Sequence, residues 1–222
     1  MTRVALIHAL AHSPGPINEE MARQWPQAVR QNLLDDSLSA DLARAGRLDE
    51  TVTRRFLALS DYAVGCGAEA ILFTCSAFGP CIDAVKARHA ALPVLKPNEA
   101  MIDEALAAAA AAGGPIGLLA SFGPTLQSMP GEFPPGTRLD TELAQGAMAA
   151  LDCGDLAGHD AAAAAAAVRL AARGCRVIAL AQFSLARAAG VVAQATGLPV
   201  LTTPGSAVRR LRERLDPTFK RS

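Results

Sequence analysis

The stretch that decides the fold is GAEAILFTCSAFGP, residues 67–80. Its apolar run is typical of a strand buried on both faces, because strands of parallel sheets carry nearly continuous hydrophobic residues. A helical pattern follows at residues 77–91, and Cys75 stands at the junction of strand and helix. The stretch therefore predicts a βα unit with a cysteine at the carboxyl end of its strand.

The same pattern returns in the second half of the chain. The segment GCRVIALAQFSLAR, residues 174–187, aligns with residues 67–80 and sets Gln182 opposite Cys75. Two further pairs align in the same order: LPVL at 92–95 with LPVL at 198–201, and RVALI at 3–7 with PIGLL at 115–119. One match could be chance, but three matches in the same order indicate an internal duplication.

Strand and helix patterns alternate in both halves, which favours parallel sheets covered by helices on both faces. The predicted strands are residues 3–9, 32–35, 70–74, 93–95, 116–120, 177–181 and 199–201. The predicted helices are residues 17–30, 37–45, 50–64, 77–91, an alanine-rich stretch ending at 112, 124–129, 159–172, 184–196 and 206–215, and residues 131–136 have the composition of a surface loop.

The pattern predicts an α/β protein of two similar doubly wound parallel-sheet lobes, related by a pseudo-two-fold axis, with the active site between them. The chain breaks near its midpoint at Gly113-Gly114-Pro115. We therefore assign residues 1–113 to the first lobe and residues 114–222 to the second, and the first lobe could also receive the C-terminal helix.

Composition and charge exclude several classes of protein. Lys+Arg and Asp+Glu balance at 21 each, so neither a nucleic acid nor an anionic membrane is indicated as a partner, since both need a basic field. No run approaches the ~20 apolar residues of a membrane-spanning helix, and the first apolar run lacks a signal-peptide cleavage site. We expect a cytoplasmic protein, and a homo-oligomer is left open.

Cys75 is the leading candidate for chemistry. The thiolate of a cysteine at a helix N-terminus is stabilised by unpaired N–H groups, so its pKa is expected to fall towards neutrality. Such a group suits proton transfer or nucleophilic attack. The alternative is a free cysteine that packs as a small hydrophobic residue, which is our interpretation of the other four: Cys66, Cys81, Cys153 and Cys175. Their spacing favours neither a disulfide framework nor a zinc site.

The sequence resembles the aspartate/glutamate/hydantoin racemase superfamily, which includes maleate isomerases and arylmalonate decarboxylases. The likeness covers nearly the whole chain, and its most specific pieces are ILFTCSA at 71–77, PIGLLAS at 115–121 with Thr125, and VIALAQF at 177–183. The resemblance implies an enzyme without cofactor or metal, in which one cysteine removes the α-proton and a second delivers a proton from behind. Cys75 matches the first cysteine, but the second-lobe motif, typically Leu-Gly-Cys-Thr, has Gln182 in its place.

An amide does not exchange protons at useful rates, so Gln182 can only orient a ligand by hydrogen bonds. Three chemistries stay open: a racemase or isomerase with Cys75 on one face, decarboxylation of a malonate-type acid followed by protonation by Cys75, or addition of the thiolate to an activated carbon. His8 is a candidate base for Cys75, with a hydrogen-bonded structural histidine as the alternative. The leading function is a racemase-like isomerase of a small carboxylate, followed by a decarboxylase and by a non-catalytic carboxylate-binding protein.

Binding groups follow from position at the strand ends. Ser121 and Thr125 follow the first strand of the second lobe, where the resemblance implies that hydroxyls and amides hold a substrate carboxylate. Ser13 and Asn18 occupy the matching region of the first lobe. The alternative is that these hydroxyls only cap helices. Backbone N–H groups are expected to point at the substrate from Ser76, Ala77, Phe78, Phe183 and Ser184, and Lys96 and Arg187 lie close enough to contribute charge.

Overall fold

The computed structural model describes residues 1–216 and residue 219. The chain divides into two compact units: Met1–Pro97 together with the chain from Ala207 onward, and Asn98–Ser206. The alanine-rich helix, predicted as part of the first lobe, lies in the second unit. The reason is its apolar face, because Met101, Ile102 and Ala105 are buried in a core built from strands of that unit.

The first unit contains a parallel sheet of four strands in the order β2-β1-β3-β4. Its strands are β1 (Arg3–His8), β2 (Val29–Leu34), β3 (Ala70–Phe73) and β4 (Val94–Leu95). Its helices are α1 (Pro14–Gln24), α2 (Ser37–Ala45), α3 (Glu50–Gly65) and α4 (Gly79–Arg88), with a 3-10 turn at Ser76–Phe78 ahead of α4. The core of this unit includes Phe56, whose ring packs on Phe73 at 5.2 Å and on Phe78 at 4.9 Å between centroids.

The second unit repeats this plan with the order β6-β5-β7-β8. Its strands are β5 (Ile116–Ala120), β6 (Leu139–Leu143), β7 (Val177–Leu180) and β8 (Val200–Thr202). The helices that follow β4 along the chain are α5 (Glu99–Ala112), α6 (Gly123–Ser128), α7 (Ala147–Asp152), α8 (Leu156–Ala172), α9 (Ala189–Thr196) and α10 (Thr203–Leu215). Two 3-10 turns lie at Met129–Glu132 and Phe183–Ala188. Most of α10 belongs to the first unit. Among the described helices, none is long and apolar enough to cross a membrane.

Strand register confirms the duplication residue by residue. Val4 of β1 pairs with Ala70 of β3, and their aligned counterparts Ile116 and Val177 pair in the same way. The next strand repeats the agreement, because Ile71 pairs with Val94 and Ile178 pairs with Val200. The prediction of two similar parallel-sheet α/β units is therefore confirmed.

Two local predictions were wrong, each for a physical reason. The first helix ends at Gln24, well before residue 30, because Pro26 disfavours helical backbone at Trp25; the freed residues lengthen β2. Strand β6, with the sequence LDTEL, escaped prediction because it is half-exposed and polar, and α7 was missed with it. The predicted surface loop at 131–136 is confirmed in the main, because five of its six residues are exposed and Phe133 alone is buried, although the loop begins within a 3-10 turn.

Close packing explains one glycine in the repeat. A Cβ on Gly117 of β5 would lie 2.9 Å from Ile178 Cδ1 and 3.1 Å from Leu170 Cβ. Contacts this short force neighbouring side chains to shift, and tightly packed interiors resist such shifts. Gly117 therefore allows α8 to pack closely on the second sheet.

Candidate active site

Cys75 and Gln182 occupy equivalent places in the two units. Cys75 follows β3 and precedes a 3-10 turn, with extended backbone at φ −127° and ψ 122°. Gln182 follows β7 and precedes the other 3-10 turn, with φ −141° and ψ 147°. Each side chain thus leaves the carboxyl end of a central strand, which is the edge where parallel α/β sheets bind ligands. Cys75 is half-buried and its side chain packs beside the apolar core of the first unit.

Burial raises the pKa of the Cys75 thiol above the ordinary value of a cysteine. The backbone N–H of Ala77 and the hydroxyl of Ser39 act in the opposite direction, but their effect is smaller. The expectation of a lowered pKa was therefore wrong. The physical reason is the free energy of desolvating the thiolate. This free energy is larger than the stabilisation that the thiolate gains from one short 3-10 turn and one hydroxyl. Cys75 rests as a protonated thiol at neutral pH.

Ser39 is a neighbour of Cys75 that no local sequence pattern indicates. It lies on α2, and its hydroxyl donates a 2.8 Å hydrogen bond to the carbonyl of Ala9, the residue after β1. The hydroxyl has a single proton, so it lowers the pKa of Cys75 when it turns from the Ala9 carbonyl to the sulfur. No motif surrounds Ser39, and its relation to Cys75 depends on the tertiary fold, which brings residues 36 positions apart in the chain together.

His8, the last residue of β1, is fully buried. Its Nδ1 lies 2.9 Å from Thr74 Oγ1, and its Nε2 lies 3.0 Å from Asn32 Oδ1. Asn32 Oδ1 also accepts a hydrogen bond from the Asn18 amide at 2.8 Å. This oxygen can only accept, so Nε2 carries the proton and Nδ1 accepts from the Thr74 hydroxyl. The tautomer of His8 is thereby assigned from its partners.

Burial lowers the pKa of His8, against a smaller opposing effect of its hydrogen bond to Asn32. The ring is therefore neutral at physiological pH. Both ring nitrogens are engaged by residues other than Cys75. The arrangement corresponds to the structural alternative stated for His8: it holds Thr74, the residue directly before Cys75.

Asn18 and Ser13 lie near the start of α1. The Asn18 amide donates to the carbonyl of Pro14 at 2.7 Å as well as to Asn32, so this side chain organises its own unit. Ser13 is buried at the N-terminus of α1, and its side chain makes no capping hydrogen bond to that described helix. The alternative that the Ser13 hydroxyl only caps a helix is therefore wrong.

The amide oxygen of Gln182 receives three hydrogen bonds from the loop after β5. The donors are the backbone N–H of Ser121 at 2.6 Å, the Ser121 hydroxyl at 3.1 Å and the backbone N–H of Phe122 at 3.1 Å. Backbone N–H groups can only donate, so the atom they meet must be Oε1. Gln182 Nε2 has no hydrogen-bond partner within residues 1–216. The side chain therefore turns its N–H₂ group away from the loop.

The remaining predicted binding residues fall at the expected strand ends. Ser121 and Thr125 are both buried, in the loop after β5 and in α6. Ser76 and Ser184 are half-buried and Ala77 is exposed. Phe78 and Phe183 are buried, so only their backbone groups are placed to meet a ligand.

The predicted cationic contributors both have carboxylate partners. Arg187 forms a two-pronged pair with Asp160 at 2.8 and 2.9 Å, and Lys96 Nζ lies 2.8 Å from Asp83. The charge of each of these two residues is therefore balanced by a neighbouring carboxylate. Across the described residues there is no group of three or more His, Cys, Asp or Glu side chains that could hold a metal ion.

Solved structures show which fold this chain shares. An allantoin racemase from Klebsiella pneumoniae superposes with a TM-score of 0.71 at 16% identity, over 100% of this chain and 91% of that chain. A glutamate racemase isoform from Bacillus anthracis gives a TM-score of 0.70 at 12% identity, over 96% of this chain and 81% of that chain. An unliganded arylmalonate decarboxylase gives a TM-score of 0.63 at 15% identity, over 99% of this chain and 95% of that chain.

These comparisons define the class of fold. The chain has the two-lobe α/β fold of the racemase structures, as the resemblance predicted. No protein-family model matches the chain, and no curated protein matches it. What the chain shares with the solved racemases and the decarboxylase is thus the architecture, and its chemistry has to be inferred from its own residues.

Proposed function

We propose that the chain is a cofactor-independent enzyme of the racemase type, which moves a proton at the carbon next to the carboxylate of a small acid. Cys75 is its single thiol acid/base. The observation that carries the proposal is the register of the repeat, which gives Cys75 and Gln182 equivalent positions after β3 and β7. The fold shared with racemases and with a decarboxylase supports the same chemistry.

In this proposal Cys75 gives a proton to a carbanion, which forms either when the thiolate fraction of Cys75 removes the α-proton or when the substrate loses carbon dioxide. The raised pKa of its thiol keeps the proton on sulfur at neutral pH, and a carbanion next to a carboxylate is basic enough to take it. The thiolate that remains is stabilised by the N–H of Ala77 and the hydroxyl of Ser39. Removal of an α-proton by the same sulfur requires the thiolate, so that direction becomes faster as the pH rises.

Gln182 supplies no second acid or base. Two-thiol racemisation, in which each face of the carbon has its own cysteine, is therefore unavailable to this chain. A complete racemisation needs water or another group to serve the second face. Exchange of the α-hydrogen with solvent from one face needs only Cys75.

A second candidate is decarboxylation of a malonate-type acid, and the raised pKa of Cys75 favours it. The bond between the α-carbon and one carboxylate breaks, carbon dioxide leaves, and the electron pair stays on carbon. The thiol proton then moves to that carbon, and solvent water reprotonates the sulfur. This sequence needs one proton donor and no base, which matches a site with one resting thiol.

The test uses the purified chain in heavy water with a panel of small 2-amino, 2-hydroxy and 2-substituted malonic acids. Proton NMR follows α-hydrogen exchange, and released carbon dioxide is measured in parallel. We expect one of these activities in the wild type, and its loss in Cys75→Ala. The matched control is Cys153→Ala, because Cys153 is exposed. Activity that survives in Cys75→Ala would contradict the proposal, and an inactive wild type that still binds an acid would identify a binding protein.

A further inference from the structure

The loop after β5 forms a set of three hydrogen-bond donors, here called the Ser121 cradle: the backbone N–H of Ser121, the hydroxyl of Ser121 and the backbone N–H of Phe122. All three meet one oxygen, Gln182 Oε1, at 2.6 to 3.1 Å. An amide oxygen has two lone pairs. Three convergent donors are therefore more than a neutral amide requires, and they match the needs of a carboxylate or an oxyanion.

The first unit has no equivalent arrangement in its described residues. Ala9 follows β1 as Ser121 follows β5, so the hydroxyl is absent there, and the carbonyl of Ala9 is an acceptor for Ser39. Cys75, the counterpart of Gln182, has no side-chain oxygen, and its side chain is shorter than that of glutamine. It therefore cannot place an acceptor oxygen at the neighbouring strand end. The cradle and its occupant are therefore a property of the second unit alone.

We propose that the Ser121 cradle is a binding site for a carboxylate or carboxamide oxygen and that Gln182 keeps it closed as a built-in ligand. Gln182 is then a specificity-determining residue. With the cradle filled, the end of β7 presents the two N–H groups of Gln182 Nε2 to a ligand, and a substrate carboxylate is kept off the backbone donors of the loop. The identity of that ligand as a small acid rests on the proposed function, whereas the cradle itself does not.

The direct test opens the cradle and adds a small ligand. Backbone amide resonances of Ser121 and Phe122 are followed in ¹⁵N-labelled Gln182→Ala during titration with acetate and with acetamide. We expect both resonances to move saturably up to about 0.3 M ligand, where a millimolar Kd gives near saturation. In the wild type and in the control Gln145→Ala, which replaces an exposed glutamine, the same resonances should move far less, because Gln182 Oε1 stays on both N–H groups.

A second variant keeps the test decisive if Gln182→Ala does not fold. Gln182→Glu retains an oxygen that can occupy the cradle, so it should fold, and its Ser121 and Phe122 resonances should ignore acetate. Saturable acetate shifts in Gln182→Glu equal to those in the alanine variant would overturn the proposal. Resonances that stay in place in a folded Gln182→Ala would overturn it as well. Neither readout depends on turnover, so an inactive enzyme would count against the proposed function and leave this result intact.

Discussion

Replacing Gln182 by methionine removes the acceptor from the Ser121 cradle while nearly conserving side-chain volume. Three donors then lose their partner. The Ser121 N–H belongs to a buried residue, with 8% of its surface exposed, whereas Phe122 is 50% exposed and its N–H can turn to water. The Ser121 hydroxyl can rotate towards another acceptor. One buried backbone donor therefore bears most of the loss.

An unsatisfied buried donor costs about 1–3 kcal/mol. We expect Gln182→Met to lower the free energy of unfolding by about 2 kcal/mol, since the other two donors recover partners. For a domain of this size that corresponds to a fall in Tm of roughly 4–8 °C. The measurement is urea unfolding followed by circular dichroism, with thermal unfolding as a second probe.

The matched control is Gln145→Met, at an exposed position, and it should stay within about 0.5 kcal/mol of the wild type. Gln182→Glu should recover much of the loss at neutral pH, because its carboxylate accepts the same donors. If Gln182→Met proves as stable as the control, the three hydrogen bonds contribute nothing and the account of the cradle fails.

Three further predictions concern the same strand ends. Because burial raises the pKa of Cys75, iodoacetamide should modify this thiol more slowly at neutral pH than it modifies free cysteine, as measured by mass spectrometry of the peptide. Ser39→Ala should slow the modification of Cys75 further, and the control Ser128→Ala should leave its rate unchanged. Because burial lowers the pKa of His8, its contribution to stability is present above the unfolded pKa of about 6.5 and is lost as the pH falls through the folded value. The fall in unfolding free energy between about pH 8 and pH 5 should therefore be smaller in His8→Gln than in the wild type; an equal fall would contradict the assignment of His8. Gln182→Cys supplies the second thiol that the resemblance implies, and chiral chromatography should detect faster racemisation in this variant than in the wild type. No gain in a folded variant would contradict the predicted pairing of Cys75 with position 182.

The sequence alone predicted the class of architecture and most of its strands, and it placed the candidate residues at strand ends. Hydrophobic runs that end in small or polar residues predicted five of the strands nearly in full, because burial on both faces imposes a local pattern. The aligned segments 67–80 and 174–187 predicted the duplication, and the strand register confirmed it. Cys75 and Gln182 could be placed at strand ends for the same reason, since both lie inside the repeated segment.

Tertiary structure alone decided how those positions behave. Gln182 finds its donors 60 and 61 residues away in the chain, and His8 finds Thr74 at a separation of 66; no local pattern encodes such partners. The direction of the pKa shift of Cys75 was predicted wrongly. The sequence shows that Cys75 precedes a helix, which lowers the pKa, but it does not show the burial of the thiol, which raises the pKa by more. The polar edge strand β6 was not predicted because its residues lack a hydrophobic strand pattern. Its extended structure depends on pairing with β5. Hydrophobic periodicity is a local property of the chain, and the chemistry of a site depends on which distant residues the fold brings into contact.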